Sequence, residues 1–146
     1  MNALQSLPEG FTISTDKAPL DIEMIHQFLS HSYWAKNIPI ATVRQSIEHS
    51  LCFGVYHHGQ QVGFARIISD FTTMAYLCDV FISESYRGRG LSKQLMVAIK
   101  AHPQLQDLRR WVLGTADAHG LYAQFGFVPL EYPERSMEIK VPNIYG

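Results

Sequence analysis

An apolar run from Ala75 to Ile82 is followed by Arg87-Gly88-Arg89-Gly90-Leu91-Ser92, and then by Leu91, Leu95, Ala98 and Ile99 at helical spacing up to Lys100. A strand, a glycine-rich turn and a helix in this order constrain the chain more than any other feature. The first N–H groups of a helix have no acceptor within the helix, and the helix dipole adds about half a positive charge at the same end. Gly88 and Gly90 lack a Cβ, so a phosphate group can approach their backbone closely. Arg87, Arg89 and Lys93 bring further positive charge. The segment therefore reads as an anion-binding loop, although a short Arg-Gly-Arg-Gly string is by itself also compatible with a solvated tight turn.

Two other phosphate loops are excluded. A P-loop needs Gly, four residues, then Gly-Lys-Ser/Thr, and here Gly90 is followed by Leu91-Ser92-Lys93. The dinucleotide fingerprint needs a third glycine and sits at the first turn of a βαβ repeat. Position 93 is lysine, and the neighbouring strands read as a meander.

The remaining chain supplies the context for such a loop. Phe11 to Thr15 alternates as a first strand. Asp21 is placed to cap a helix carrying Ile22, Ile25, Phe28 and Leu29, and an aromatic loop follows from Ser32 to Pro39. Thr42 with Gln45 reads as a capping box for a second helix with Val43 and Ile47 inward. Leu51 to Tyr56 and Gln61 to Ile68 flank the turn His57-His58-Gly59-Gln60, and Asp70 to Thr73 leads into the third strand of that group, Ala75 to Ile82. Pro103 lies beyond the end of the next helix, Arg109 to Leu113 is another strand, and His119 to Phe125 is a short helix ended by Gly126. Phe127 to Leu130 and Met137 to Val141 are expected to be closing strands. The order is mixed α/β (α+β), and the 146 residues fit a single domain spanning 1–146.

Composition narrows the classes of function. Apolar residues make up 47% of the chain and charged residues 17%, which suits a globular core. A net charge of −1 gives no broad basic surface for a nucleic acid. The two cysteines, Cys52 and Cys78, sit in strand-like apolar runs and read as reduced core thiols rather than a disulfide framework or zinc site. The histidines show no metal-ligand spacing, so no metal is expected. Met1 to Pro8 lacks the basic start of a signal peptide, and no apolar run approaches a membrane span. The expected location is the cytoplasm, with no membrane partner.

With the loop and its context in view, the chain resembles the GNAT superfamily of acyl-CoA-dependent N-acyltransferases. That family's motif Arg/Gln-x-x-Gly-x-Gly/Ala is matched by Arg87 to Ser92, preceded by Asp79-Val80-Phe81-Ile82-Ser83-Glu84-Ser85-Tyr86. Downstream, Leu121-Tyr122-Ala123-Gln124-Phe125-Gly126-Phe127 is similar to the family's Leu-Tyr-x-x-x-Gly-Phe. Ser92 departs from the Gly or Ala usual there. The resemblance implies a mixed, curved, mainly antiparallel sheet flanked by helices, with strands four (Ala75 to Ile82) and five (Arg109 to Leu113) splayed around acetyl-CoA.

It also implies roles. Val80, Phe81 and Ile82 would line the pantetheine arm. Arg87, Gly88, Arg89, Gly90, Leu91, Ser92 and Lys93 would surround the pyrophosphate, and Phe125 lies in the second cofactor motif. Tyr122 matches the family's general acid; without the motif it reads as a core ring. Asp79 and His119 are candidates for the base, with a structural aspartate and a surface histidine as the competing readings. A water chain is another route for that proton. Tyr33, Trp34, Lys36 and Tyr76 are expected at the acceptor site, where aromatic rings attract a cationic amine. The implied activity is acetyl transfer to a primary amine of a small molecule or peptide; a non-catalytic acyl-CoA sensor on the same fold is the alternative. Relatives of this kind are often homodimers, and the segment around Tyr132 and Tyr145 is the candidate interface.

Overall fold

A computed structural model describes residues 7–146. Five strands form one sheet in the order β1-β2-β3-β4-β5: β1 Phe11–Ser14, β2 Leu51–His57, β3 Gln60–Ser69, β4 Met74–Ile82 and β5 Arg110–Leu113. The first four pair antiparallel, and β4 pairs with β5 in parallel. The meander is made by short turns. At the β2–β3 turn His58 and Gly59 both have positive φ, 48° and 84°, the twist that a two-residue hairpin needs. At the β3–β4 turn Asp70 accepts the backbone N–H groups of Thr72, Thr73 and Met74.

Helices cover both faces. The helices α1 Ile22–Ser30 and α2 Ile40–Glu48 lie on one face, where Ile25, Leu29, Val43 and Ile47 pack with Cys52, Phe64 and Phe81. On the other, α3 Leu91–Ala101 buries Leu91, Leu95, Met96 and Ile99 against Phe53, Val55, Ile67 and Leu77. The short helix α4, His119–Ala123, joins that side through Tyr122. The interior strand β2 is buried from Cys52 to Tyr56 because it faces a helical layer on each side.

Asp21 caps α1 as expected, accepting the Met24 N–H at 3.1 Å. The capping box at α2 is not formed. Pro39 is the N-cap, and its carbonyl already accepts the N–H groups of Thr42 and Val43 at 3.1 Å, so Thr42 lies inside the helix. The fixed φ of proline is ready-made for a helix start. Gly126 takes φ +96° after α4, as its position predicts.

The closing strands expected over Phe127 to Leu130 and Met137 to Val141 are not formed. After α4 the chain has only a 3-10 turn, Pro133–Arg135, and Met137 and Ile139 are 97% and 98% exposed. Pro129 and Pro133 remove N–H donors from the stretch that would have to turn back along the sheet.

Candidate active site

Strands β4 and β5 stay in register from Met74–Arg110 to Leu77–Leu113. There β5 ends while β4 continues to Ile82, so the sheet opens into a wedge. The wedge is a cleft of about 1090 Å³, walled by β4 from Tyr76 to Ile82, by the loop from Gly114 to Ala118, and by Tyr33, Trp34 and Tyr122. A second hollow of about 450 Å³ lies over the start of α3. The two share Ile82, Arg87, Ser92 and Leu121, so they form one groove.

The end of the groove at α3 is built from backbone. Gly88 and Gly90 have φ of +81° and +77°, a region that costs other residues about 1–2 kcal/mol. A Cβ at either position would meet nothing within 4 Å, so the requirement is conformational and the space over the loop is open. Gly90 caps α3 without a side-chain bond, and the Gln94 N–H is bonded back to the Gly90 carbonyl at 3.1 Å. The N–H groups of Leu91, Ser92 and Lys93 therefore lack acceptors in the helix. Arg87 is held by its Nε donating to the Ile82 carbonyl at 3.0 Å. Lys93 lines the second hollow, whereas Arg89 lies over the Tyr86 ring at 5.2 Å and lines neither cavity.

A β-bulge sits in the middle of β4. Phe64 opposes Phe81 and Arg66 opposes Cys78, so Asp79 and Val80 together face Ala65. Asp79 takes φ +53° to make this possible, a conformation aspartate tolerates better than most residues. The extra residue reverses the alternation. Ala75 and Leu77 face the α3 layer, yet Phe81 packs under α1 and α2, and Ile82 returns to the α3 side.

The Asp79 side chain is fully engaged. One carboxylate oxygen accepts from Arg66 Nε at 2.8 Å and the other from Trp34 Nε1 at 2.8 Å. It joins β4, β3 and the α1–α2 loop on the cleft wall. Tyr33 closes the same loop over the groove, since its Oη accepts the Ala116 N–H at 3.0 Å.

Tyr122 is 7% exposed, packs against Phe127 and faces the cleft. Burial, with smaller contributions from Tyr33 and Asp117, pushes its pKa above the usual tyrosine value, so the phenol keeps its proton at neutral pH. Cys78 also lines the cleft, but burial outweighs the nearby Arg66 charge and pushes its thiol up to about 12. A neutral thiol is a poor nucleophile.

The remaining predicted site residues are distributed unevenly. Tyr33, Trp34, Tyr76, Val80, Phe81 and Ile82 all line the cleft. His119 is exposed and Phe125 half-buried, Lys36 is exposed, and none of the three lines either cavity. One histidine overlooked by motif reasoning does. His31 follows α1 and lines the cleft, and its Nδ1 lies 2.8 Å from the Gln27 carbonyl. A carbonyl only accepts, so this contact requires the proton on Nδ1, and in the neutral ring Nε2 is then the acceptor. No motif around His31 signals this, because the facing wall of the cleft comes from β4 and the loop after β5. Among the described residues, no cluster of His, Cys, Asp or Glu is arranged to hold a metal ion, and no helix is long and apolar enough to cross a membrane.

Comparison with known proteins places this geometry. A crystal structure of a protein from Xanthomonas campestris pv. campestris, assigned to the GNAT family of acetyltransferases, is 54% identical, with a TM-score of 0.92 over 96% of this chain and 99% of that one. Coverage of that extent takes in most of the C-terminal arm after Phe127. A Staphylococcus aureus protein with 20% identity shares the fold, at a TM-score of 0.71 over 90% of this chain and 99% of its own. Among curated proteins, one from Gibberella zeae whose name assigns it to the acetyltransferases is 29% identical over 78% of this chain and 76% of its own length. An uncharacterized N-acetyltransferase, ycf52-like, from Prochlorococcus marinus is 32% identical over 64% of this chain and 54% of its own length. The acetyltransferase (GNAT) domain pattern matches residues 48–129, which take in the bulged strand, the glycine loop and the Tyr122 helix. The chain belongs to the GNAT acetyltransferase family.

Proposed function

We propose that the chain transfers an acetyl group from acetyl-CoA to a primary amine of a small molecule or peptide, by direct attack with both substrates bound. The observation that carries this reading is the continuous groove, which joins an anion-binding helix start to a cleft holding a protonated tyrosine. Acetyl-CoA supplies an activated carbonyl in its thioester. The open backbone at Gly88 and Gly90 and the free N–H groups at the start of α3 fit its pyrophosphate. The exposed edge of β4 from Val80 to Ile82 fits the amide-bearing arm between pyrophosphate and sulfur.

The reaction makes a C–N bond, breaks a C–S bond and moves two protons. The bulge leaves a residue of β4 without a ladder partner, and its N–H is the donor we assign to the developing oxyanion. Tyr122 gives a proton to the departing thiolate. His31 takes the proton of the attacking amine at Nε2, directly or through one water. Tyr33, Trp34 and Tyr76 form the aromatic side of the acceptor site and favour a cationic amine before it loses its proton. Asp79 has a supporting role in this reading, since both of its oxygens already accept hydrogen bonds.

Release of free CoA from acetyl-CoA, measured with polyamines, amino acids, aminoglycosides and peptides, tests the proposal. Turnover with one class is expected. Tyr122→Phe should lower kcat by about 100-fold or more, the usual worth of a general acid, with little change in acetyl-CoA affinity. Equal loss of affinity and turnover would assign Tyr122 to packing alone. Binding of acetyl-CoA without turnover on any amine would replace the enzyme reading with a binding protein.

A further inference from the structure

The acceptor side of the cleft carries a charge that its own chain leaves unanswered. Asp79 and Asp117 both line the cleft. The two oxygens of Asp79 are taken by Arg66 and Trp34. Asp117 is exposed on the loop between β5 and α4, and its carboxylate accepts no hydrogen bond and pairs with no cation among the described residues. It lies close enough to Tyr122 for its charge to act on the phenol. Arg87 is the only lysine or arginine among the described residues that line the cleft, and it stands at the pyrophosphate end, where the two hollows meet.

The wall beside this charge is aromatic and uncovered. Tyr33, Trp34 and Tyr76 are 66%, 44% and 39% exposed. The Tyr33 and Trp34 rings meet at 78° with centroids 5.1 Å apart, so they form a corner rather than a slot. A flat ring stacks on one side of such a corner, whereas a methylene chain lies along both. Tyr33 gives the corner a direction. Its Oη accepts the Ala116 N–H at 3.0 Å, so the ring runs from Trp34 to the residue beside Asp117.

A carboxylate in this position suits a cation that does not react. The nitrogen that attacks a thioester must first be neutral, and a neighbouring carboxylate favours its protonated form. Held at Asp117, the reacting nitrogen would be harder to deprotonate. A second ammonium on the same molecule meets no such opposition, and the faces of nearby rings add to its attraction. A carboxylate or phosphate on the acceptor would instead meet Asp117 with like charge and find no lysine or arginine beside it.

We infer that the acceptor is an aliphatic diamine: one nitrogen takes the acetyl group, and the other, as an ammonium, is held by Asp117 with the chain lying along Tyr33 and Trp34. The fate of the first nitrogen rests on the acetyl-transfer reading above. The second takes no part in the chemistry and serves recognition alone. Asp117 is therefore the residue that separates diamines from monoamines and from amino acids.

Calorimetry on the full chain saturated with CoA, at low ionic strength, tests this without depending on turnover. Putrescine is compared with butylamine, γ-aminobutyrate and phenethylamine. Putrescine is expected to bind about 10-fold more tightly than butylamine, the worth of one hydrogen-bonded charge, with the advantage shrinking as salt rises. Asp117→Asn keeps the loop's own bond, in which the residue 117 N–H donates to Thr115 Oγ1. It should bring putrescine down to the level of butylamine, and Asp117→Glu should keep part of the preference. Equal affinity for putrescine and butylamine, or tighter binding of phenethylamine than of putrescine, overturns the inference. An Asp117→Asn protein that weakens both amines equally also overturns it, because Asp117 would then hold the nitrogen common to both. Putrescine bound through Asp117 but never acetylated would support the diamine site and count against acetyl transfer. Acetylation of butylamine with no preference for putrescine would support acetyl transfer and overturn the diamine site.

Discussion

Replacing Asp79 by asparagine separates two roles that the same carboxylate could play on the cleft wall. Asparagine is the informative choice because it also accepts the positive φ that the bulge imposes, +53° at this residue. The change therefore removes charge without adding backbone strain. Aspartate offers one oxygen to Arg66 and one to Trp34, each at 2.8 Å, with side-chain exposures of 9% for Asp79 and 17% for Arg66. Asparagine has one oxygen, so one donor loses its acceptor and the Arg66 charge loses its counter-ion. Breaking a buried pair by removing one partner costs about 3–5 kcal/mol. One hydrogen bond survives here, which brings the expectation to about 2–4 kcal/mol. For a chain of this size that corresponds to a drop in Tm of roughly 5–15 °C.

The assay is thermal unfolding beside the pH–rate profile. If Asp79 braces the cleft, Tm falls by that amount and the shape of the profile is retained below the transition. If Asp79 were the base, its ionisation would set the acid limb, and Asp79→Asn would erase that limb. An unchanged Tm together with a lost acid limb would refute the bracing argument.

Two further outcomes follow from the groove. Arg87→Glu reverses a charge beside the α3 start and should weaken acetyl-CoA binding about 10- to 100-fold at low salt, by calorimetry, with the loss shrinking as salt rises; unchanged affinity would remove Arg87 from the pyrophosphate site. The thiols of Cys52 and Cys78, pushed up to about 11 and about 12, are protonated at neutral pH. Iodoacetamide should therefore label neither at pH 8 until the chain unfolds, where both thiols return to the ordinary range of about 8.5. Rapid labelling of native Cys78 would mean a thiolate in the cleft and would refute the burial argument.

Much of this protein was legible in its sequence because the information was local. Asp21 caps α1 with its own side chain three residues on. The positive φ values of Gly88, Gly90 and Gly126 are demanded by turns that glycine alone adopts cheaply. The apolar runs of β2 and β3 and the helical spacing of Leu91, Leu95 and Ile99 are properties of single segments. The anion loop and the tyrosine motif lie within contiguous stretches, and their family pattern was readable for the same reason.

What escaped were relations between segments distant in the chain. The α2 boundary turned on whether Pro39 or Thr42 takes the first helical bond, a competition that both residues enter on equal terms in the sequence. The bulge at Asp79 exists because β3 and β4 fall out of step between Phe64 and Arg66, and neither strand records this alone. The same mismatch aims Phe81 at one face and Ile82 at the other, and brings Asp79 to Arg66 and Trp34. His31 became a cleft residue only when α1 was laid beside β4. The arm after Phe127 carries a strand's alternation, which the sequence determines. That it joins no sheet among the described residues is decided by where the prolines send it, so only the tertiary structure shows it.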